Sequence, residues 1–196
     1  MGQYYKVFMR RGEEDKVYSV NVRNEEKGEY WNGMKLMEHS WWGNPLSEAV
    51  VLSILDKPTH IAWVGDYAED DECKERGFDY NDVWGETSLK SKQLLHVDFS
   101  LDNVKYLVNN TKKVYVDLKK YYEKSKVIWK GSEQETCSCI FPISLLTAIG
   151  NDRGGGDFHK GVGYDDIGTW AMDEIYVTNK NPPDGYTEKE LCFIEQ

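Results

Sequence analysis

Three consecutive glycines, Gly154, Gly155 and Gly156, stand between Arg153 and Asp157 in the segment Gly150-Asn151-Asp152-Arg153-Gly154-Gly155-Gly156-Asp157. Glycine loses more backbone entropy on folding than any other residue. A folded chain keeps such a run where φ must be positive or where something must approach the backbone closely. Beside one arginine, bare N–H groups and a guanidinium fork suit an anion or a carboxylate. Asn151, Arg153, Gly154, Gly155, Gly156 and Asp157 are therefore candidate ligand-binding residues. Asp152 and Asp157 would repel a phosphate unless they turn inward or bind a metal. They could instead hold ribose hydroxyls, as acidic residues do in other nucleotide sites, with His159 just beyond. The run lacks the G-K-[ST] ending of a Walker loop, and its glycines are contiguous rather than spaced as in a dinucleotide fingerprint. A tight turn rimmed by solvated charges accounts for the same residues.

Two further groups carry chemistry. In Lys35-Leu36-Met37-Glu38-His39-Ser40-Trp41-Trp42, a strand would turn Glu38 and His39 to opposite faces and put His39 with Met37 and Trp41. That makes His39 either a hydrogen-bonding group or base in a ring-lined pocket, or a satisfied half-buried histidine. A zincin is excluded, since the second histidine is missing. In Trp63-Val64-Gly65-Asp66-Tyr67, Asp66 follows a strand and a glycine, at a sheet rim. Site carboxylates and turn-forming aspartates both sit there. Cys73, Cys137, Cys139 and Cys192 lack a pair of C-x-x-C knuckles, and free thiols are expected. No serine lies in a G-x-S-x-G elbow and no cysteine carries a family-type signature. The sequence therefore assigns no catalytic residue, no metal site and no cofactor.

The elements that must position these residues read mainly as strands. Residues 4–10 and 16–22 form two strands joined by a polar connection, with Tyr18, Val20 and Val22 at period two. Residues 24–33 read as a loop and 34–42 as a strand. Asn44 caps a helix that Pro45 opens; Leu46, Ala49, Val50 and Ile54 give its apolar stripe, and Lys57-Pro58 ends it. Residues 60–64 form a buried strand. Residues 69–75 are a solvated acidic loop or frayed helix, and 78–95 show no clean period. Residues 105–108 and 114–118 form a hairpin, with the lysine pairs around Tyr121 and Tyr122 as its exposed continuation. Residues 127–129 are a short apolar run and 131–135 a loop. Residues 143–149 suggest one or two helical turns, 167–178 a strand pair or one bent strand, 182–185 a turn, and 191–194 a final strand. Strands lie in hairpin order without βαβ alternation. The expected fold is one α+β domain over residues 1–196, a mainly antiparallel sheet with one or two packed helices.

The 196 residues include 7 Trp and 13 Tyr, enough aromatic surface for a compact core, and any exposed members are candidate contact residues. The net charge of −10 argues against direct nucleic-acid binding, which needs a positive field. It suits docking onto a basic partner protein. The first residues lack the apolar run of a signal peptide, Lys6 occupies the position where a myristoylation motif wants Ser or Thr, and no stretch is long enough to span a membrane. A cytoplasmic protein is expected.

The blocks Met1-Gly2-Gln3-Tyr4-Tyr5-Lys6, Lys35 to Trp41, Trp63-Val64-Gly65-Asp66-Tyr67-Ala68, Asn110 to Asp117 and Leu145 to Asp157 resemble those of a family of small uncharacterised proteins met in bacterial genomes, phages and prophages. The resemblance continues to Trp170 and Gly185-Tyr186. It implies a bacterial or phage setting in the host cytoplasm and carries no established activity. Small phage proteins of this kind often bind host machinery, including as inhibitors of defence effectors such as CRISPR nucleases. The leading expectation is thus a non-enzymatic binding protein that engages a basic host protein. The alternative is a nucleotide or small-anion site, a sponge or hydrolase, built from the glycine loop with Arg153, Asp157, Asp66 and His39. A third reading is an oligomeric phage accessory component.

Overall fold

The computed structural model describes residues 1–12, 17–24, 29–31, 33–85, 92–95, 104–125 and 140–195. Its centre is β4 (Thr59–Gly65), whose seven residues are almost wholly buried. Strand β1 (Tyr5–Arg10) runs antiparallel along one edge of β4, from Tyr5 opposite Gly65 to Arg10 opposite His60. The other edge is shared. Strand β10 (Glu174–Thr178) covers Thr59 and His60, and the two-residue β8 (Ala148–Ile149) lies parallel beside Trp63 and Val64. This division places the end of β8, and so the start of the glycine loop, at the same rim as Gly65 and Asp66.

The sheet continues outward in both directions. Strand β2 (Val17–Asn24) pairs antiparallel with β1 as the expected hairpin. It also holds β3 (Glu29–Trp31) and, in parallel, β5 (Lys92–Leu95). Beyond β10 come the hairpin strands β6 (Tyr106–Asn109) and β7 (Val114–Asp117), then the parallel β11 (Thr187–Glu188). The order is β11-β7-β6-β10-β4-β1-β2-β3, with β5 on β2 and β8 on β4. A separate pair joins β9 (Gly161–Val162) to β12 (Ile194–Glu195). The fold is α+β with a mostly antiparallel sheet.

Both faces of the sheet are covered. Ile61 and Trp63 face a large cluster under α2 (Pro45–Ile54), joined by α5 (Leu118–Lys124) and α6 (Pro142–Leu146). Ala62 and Val64 face a smaller one with Cys73 of α3 (Asp70–Glu75) and Val83 of α4 (Asn81–Trp84). A strand buried on both faces loses the hydrophobic–polar alternation, which is why β4 reads as a continuous apolar run.

Several elements differ from the sequence expectation. Residues 34–42 are not a strand. Met34 and Trp41 make single bridges, to Tyr5 and Ile140, on either side of one helical turn, α1 (Leu36–His39). The turn is fixed by a tertiary bond, Met37 N–H to the Gly156 carbonyl at 2.8 Å, which periodicity does not register. The expected loop 24–33 contains β3. Of the two readings of residues 69–75, loop or frayed helix, the helix is found, and it is capped rather than frayed: the Glu69 and Glu72 side chains complete a reciprocal capping box. Tyr121 is buried, 1% exposed, on α5 rather than part of an exposed continuation. Residues 167–173 are turns, so only 174–178 of the expected long strand pair. The proposed runs at 127–129 and 131–135, with Cys137 and Cys139, lie outside the described residues.

Candidate functional site

The glycine loop is built around a carboxylate of its own. Gly150 and Gly156 have φ +85° and +87°, and Asp152, which is not glycine, has +75°. These left-handed residues fold the loop back so that Asp157, 2% exposed, points into it. The Asp157 Oδ2 accepts the N–H groups of Arg153 and Gly154, both at 3.0 Å, and its Oδ1 accepts the Tyr5 hydroxyl at 3.0 Å. Burial first, then the adjacent Asp157, push the Tyr5 phenol far above its ordinary pKa, so it stays a donor. The loop is an anion cradle whose anion is already in place.

The rest of the loop is tied to other segments. The Gly155 N–H donates to the Met1 carbonyl (3.1 Å) and its carbonyl accepts from Gln3 (2.9 Å). A Cβ on Gly154 would stand 2.5 Å from the Cβ of Gln3, which is the close approach that this position requires. Asn151 locks onto the main chain of Phe158 through both ends of its amide, at 2.8 and 3.0 Å. Four of the blocks that carried the family resemblance, at residues 1–6, 35–41, 63–68 and 145–157, thus meet at one rim of the sheet.

Arg153 reaches over the loop to α3. Its guanidinium donates to Glu72 Oε1 (2.7 Å) and the Tyr67 carbonyl (2.9 Å), with Glu69 at 3.5 Å. Asp66 continues the β1–β4 pairing beyond the strand end: its Oδ1 accepts the Tyr4 N–H (3.0 Å) and its own N–H donates to the Tyr4 carbonyl (2.8 Å). Lys35 packs its stem on Gly156 and pairs with Glu38 at 2.8 Å, which raises the lysine's pKa. His39 closes α1, its ring 5.9 Å from that of Trp41, and burial lowers its pKa. Lys35 and Met37 of the same turn touch Gly156, and the strand argument that paired His39 with Met37 on one face does not apply. Asp152 joins His159 Nδ1 (2.7 Å) and the Tyr164 hydroxyl (3.2 Å), and His159 holds the Asp152 carboxyl below its ordinary range.

What faces outward is carboxylate and phenol. Five large apolar side chains are exposed among the described residues: Met1, Tyr4, Tyr67, Val162 and Tyr164. Met1, Tyr4, Tyr67 and Tyr164 all sit on residues bonded to the loop or to Asp66 and Asp152, and Val162 is two residues from Tyr164. Helix α3 and its flanks carry Glu69, Asp70, Asp71, Glu72, Glu75 and Asp79; Glu69 and Glu72 meet the Arg153 that also holds the Tyr67 carbonyl, and Glu72 and Glu75 line one cleft with Tyr164. A cleft of about 320 Å³ separates α3 from the loop, walled by Glu72, Glu75, Arg76, Gly150, Asn151 and Tyr164. A larger cavity of about 530 Å³, between the β6–β7 hairpin and α5, shares no residue with it. The sequence flagged exposed aromatics as contact residues without showing which they are, because exposure is set by tertiary packing.

Fold and site together define an α+β protein with a closed glycine loop on an acidic, tyrosine-bearing rim. No family model, no curated protein and no solved structure matches the chain. No helix among the described residues is long and apolar enough to cross a membrane.

Proposed function

We propose that this chain is a non-enzymatic binding protein of phage or prophage type that docks onto the basic surface of a host protein through the rim around its glycine loop. The observation that carries this reading is that Tyr4, Tyr67 and Tyr164, 46%, 37% and 38% exposed, are tied by hydrogen bonds to Asp66, to the Arg153 that Glu72 holds, and to Asp152. Tyrosine gives large, rigid contact area with a polar tip, and is enriched in protein interfaces. Carboxylates around it steer a positively charged partner and fix its register. A nucleic-acid-handling defence effector, such as a CRISPR nuclease with its basic groove, is a partner of this kind. The loop's chemistry supports the same reading. Its Arg153 and Gly154 N–H groups are spent on Asp157, and the cations Arg153 and Lys35 are already paired with glutamates.

The test is capture from host-cell lysate on the immobilised chain beside a Tyr67→Ala/Asp71→Lys double variant. A partner released by moderate salt, retained by the parent chain and lost by a variant with an unchanged melting temperature is the expected result. Equal capture by both chains would overturn the reading. So would a small molecule released only on denaturation and seen by native mass spectrometry, which would return the site to the nucleotide or small-anion alternative.

A further inference from the structure

We infer that the cleft between α3 and the loop is an arginine socket, which receives one guanidinium side chain from the basic partner. This rests on the docking reading above and names the chemistry that the docking selects.

The two walls of the cleft complement a guanidinium in different ways. One wall carries the exposed ring of Tyr164, held in place by its hydroxyl bond to Asp152. The other carries Glu75, which makes no ion pair among the described residues, and Glu72. A guanidinium is planar and weakly hydrated. It can stack on an aromatic ring while its edge donates two N–H groups to a carboxylate, which a compact, strongly hydrated ammonium cannot do. Arg76 stands on the same wall as a like charge, but its Nη1 is turned onto the Ala171 carbonyl at 3.0 Å.

The chain's own Arg153 shows how this rim treats a guanidinium. It is seated next to the cleft on Glu72, Glu69 and the Tyr67 carbonyl. Glu72 is thereby satisfied from inside, and Glu75 is the carboxylate left for an incoming group. At about 320 Å³ the cleft lies at the small end of ligand pockets, which suits one side chain rather than a folded segment.

The experiment is an NMR titration of the ¹⁵N-labelled full chain with two synthetic peptides, acetyl-Gly-Arg-Gly-Arg-Gly-amide and its lysine counterpart. The arginine peptide is expected to shift the Gly150, Asn151 and Tyr164 amides saturably, and to bind about fivefold or more tightly than the lysine peptide. Glu75→Gln and Tyr164→Ala should each weaken the arginine peptide about tenfold. Glu123→Gln removes the same charge from α5, away from the cleft, and should leave binding unchanged. Equal affinity for the two peptides would overturn the inference, as would shifts spread over the acidic surface without the cleft amides. The docking reading fails separately. If Glu75→Gln and Tyr164→Ala still capture the partner while Tyr67→Ala/Asp71→Lys does not, the socket is refuted and the docking rim stands. If all of these variants capture it equally, both fall.

Discussion

Asp157 holds the loop closed with three hydrogen bonds from a position that water barely reaches. Removing it leaves two part-buried N–H groups and a buried phenol without an acceptor, and Asp157→Ala should cost about 3 kcal/mol. Asp157→Asn keeps an oxygen for the two N–H groups and offers its amide to the Tyr5 oxygen, so about 1 kcal/mol is expected; Tyr5→Phe should cost about the same. Urea unfolding of the three variants checks the order. Gly154→Ala should also destabilise, by about 1–3 kcal/mol, because the new methyl meets the Gln3 backbone. At this scale the sequence was partly legible. The glycine run did mark positive φ at Gly156 and a close approach at Gly154. The chemistry of an anion cradle was also legible, but not that the anion is a side chain three residues further on. That depends on Tyr5 arriving from a strand 152 positions away in sequence.

The longest helix among the described residues, α2, behaved as local rules require. Asn44 Oδ1 accepts the Leu46 N–H at 2.9 Å and Pro45 opens α2, so Asn44→Ala should cost about 1 kcal/mol of stability in a thermal or urea melt. Of the short elements, α6 was read as a helical turn or two, but α1 and β8 were not legible. One turn such as α1, or two residues such as β8, has too few positions for a period, and each is held by bonds to distant backbone. Acidic composition left α3 open between a loop and a frayed helix, because its buried contribution is the single side chain Cys73. Burial pushes that thiol up to about 12, with the neighbouring acidic groups adding to it. Cys73 should therefore resist iodoacetamide at neutral pH and react only after unfolding, which peptide mapping by mass spectrometry can resolve from the other three cysteines.

The whole molecule carries a charge of −10, yet individual carboxylates are stabilised in place. Asp56 accepts the Thr178 hydroxyl (2.6 Å) and the Lys180 ammonium (2.9 Å), which hold its carboxyl below the ordinary 3.8. A depressed carboxyl contributes stability that is complete above its unfolded value and is lost as pH falls through the folded one. Asp56→Asn, which tolerates the left-handed φ of +53° at this position, should thus be less stable than the parent at pH 7, with the difference vanishing at low pH. Melts across that range read the sign. Fold class and the hairpins were legible at this scale because alternation and turn residues are local signals. The rim was not, because its pieces come from residues 1–6, 35–39, 65–75 and 150–164, and the pairing of β1 and β8 on opposite edges of β4 is what brings them together.

The central claim is that the Arg153 and Gly154 N–H groups of the loop are spent on Asp157, so the rim docks a protein instead of cradling an anion. Amide NMR of the ¹⁵N-labelled chain, read at Arg153 and Gly154 during titration with inorganic phosphate and then ATP, tests it most directly. The account predicts slow exchange with solvent at both N–H groups and no movement with either anion. Saturable shifts at these two amides, with protection that appears only when phosphate or ATP is added, would contradict it.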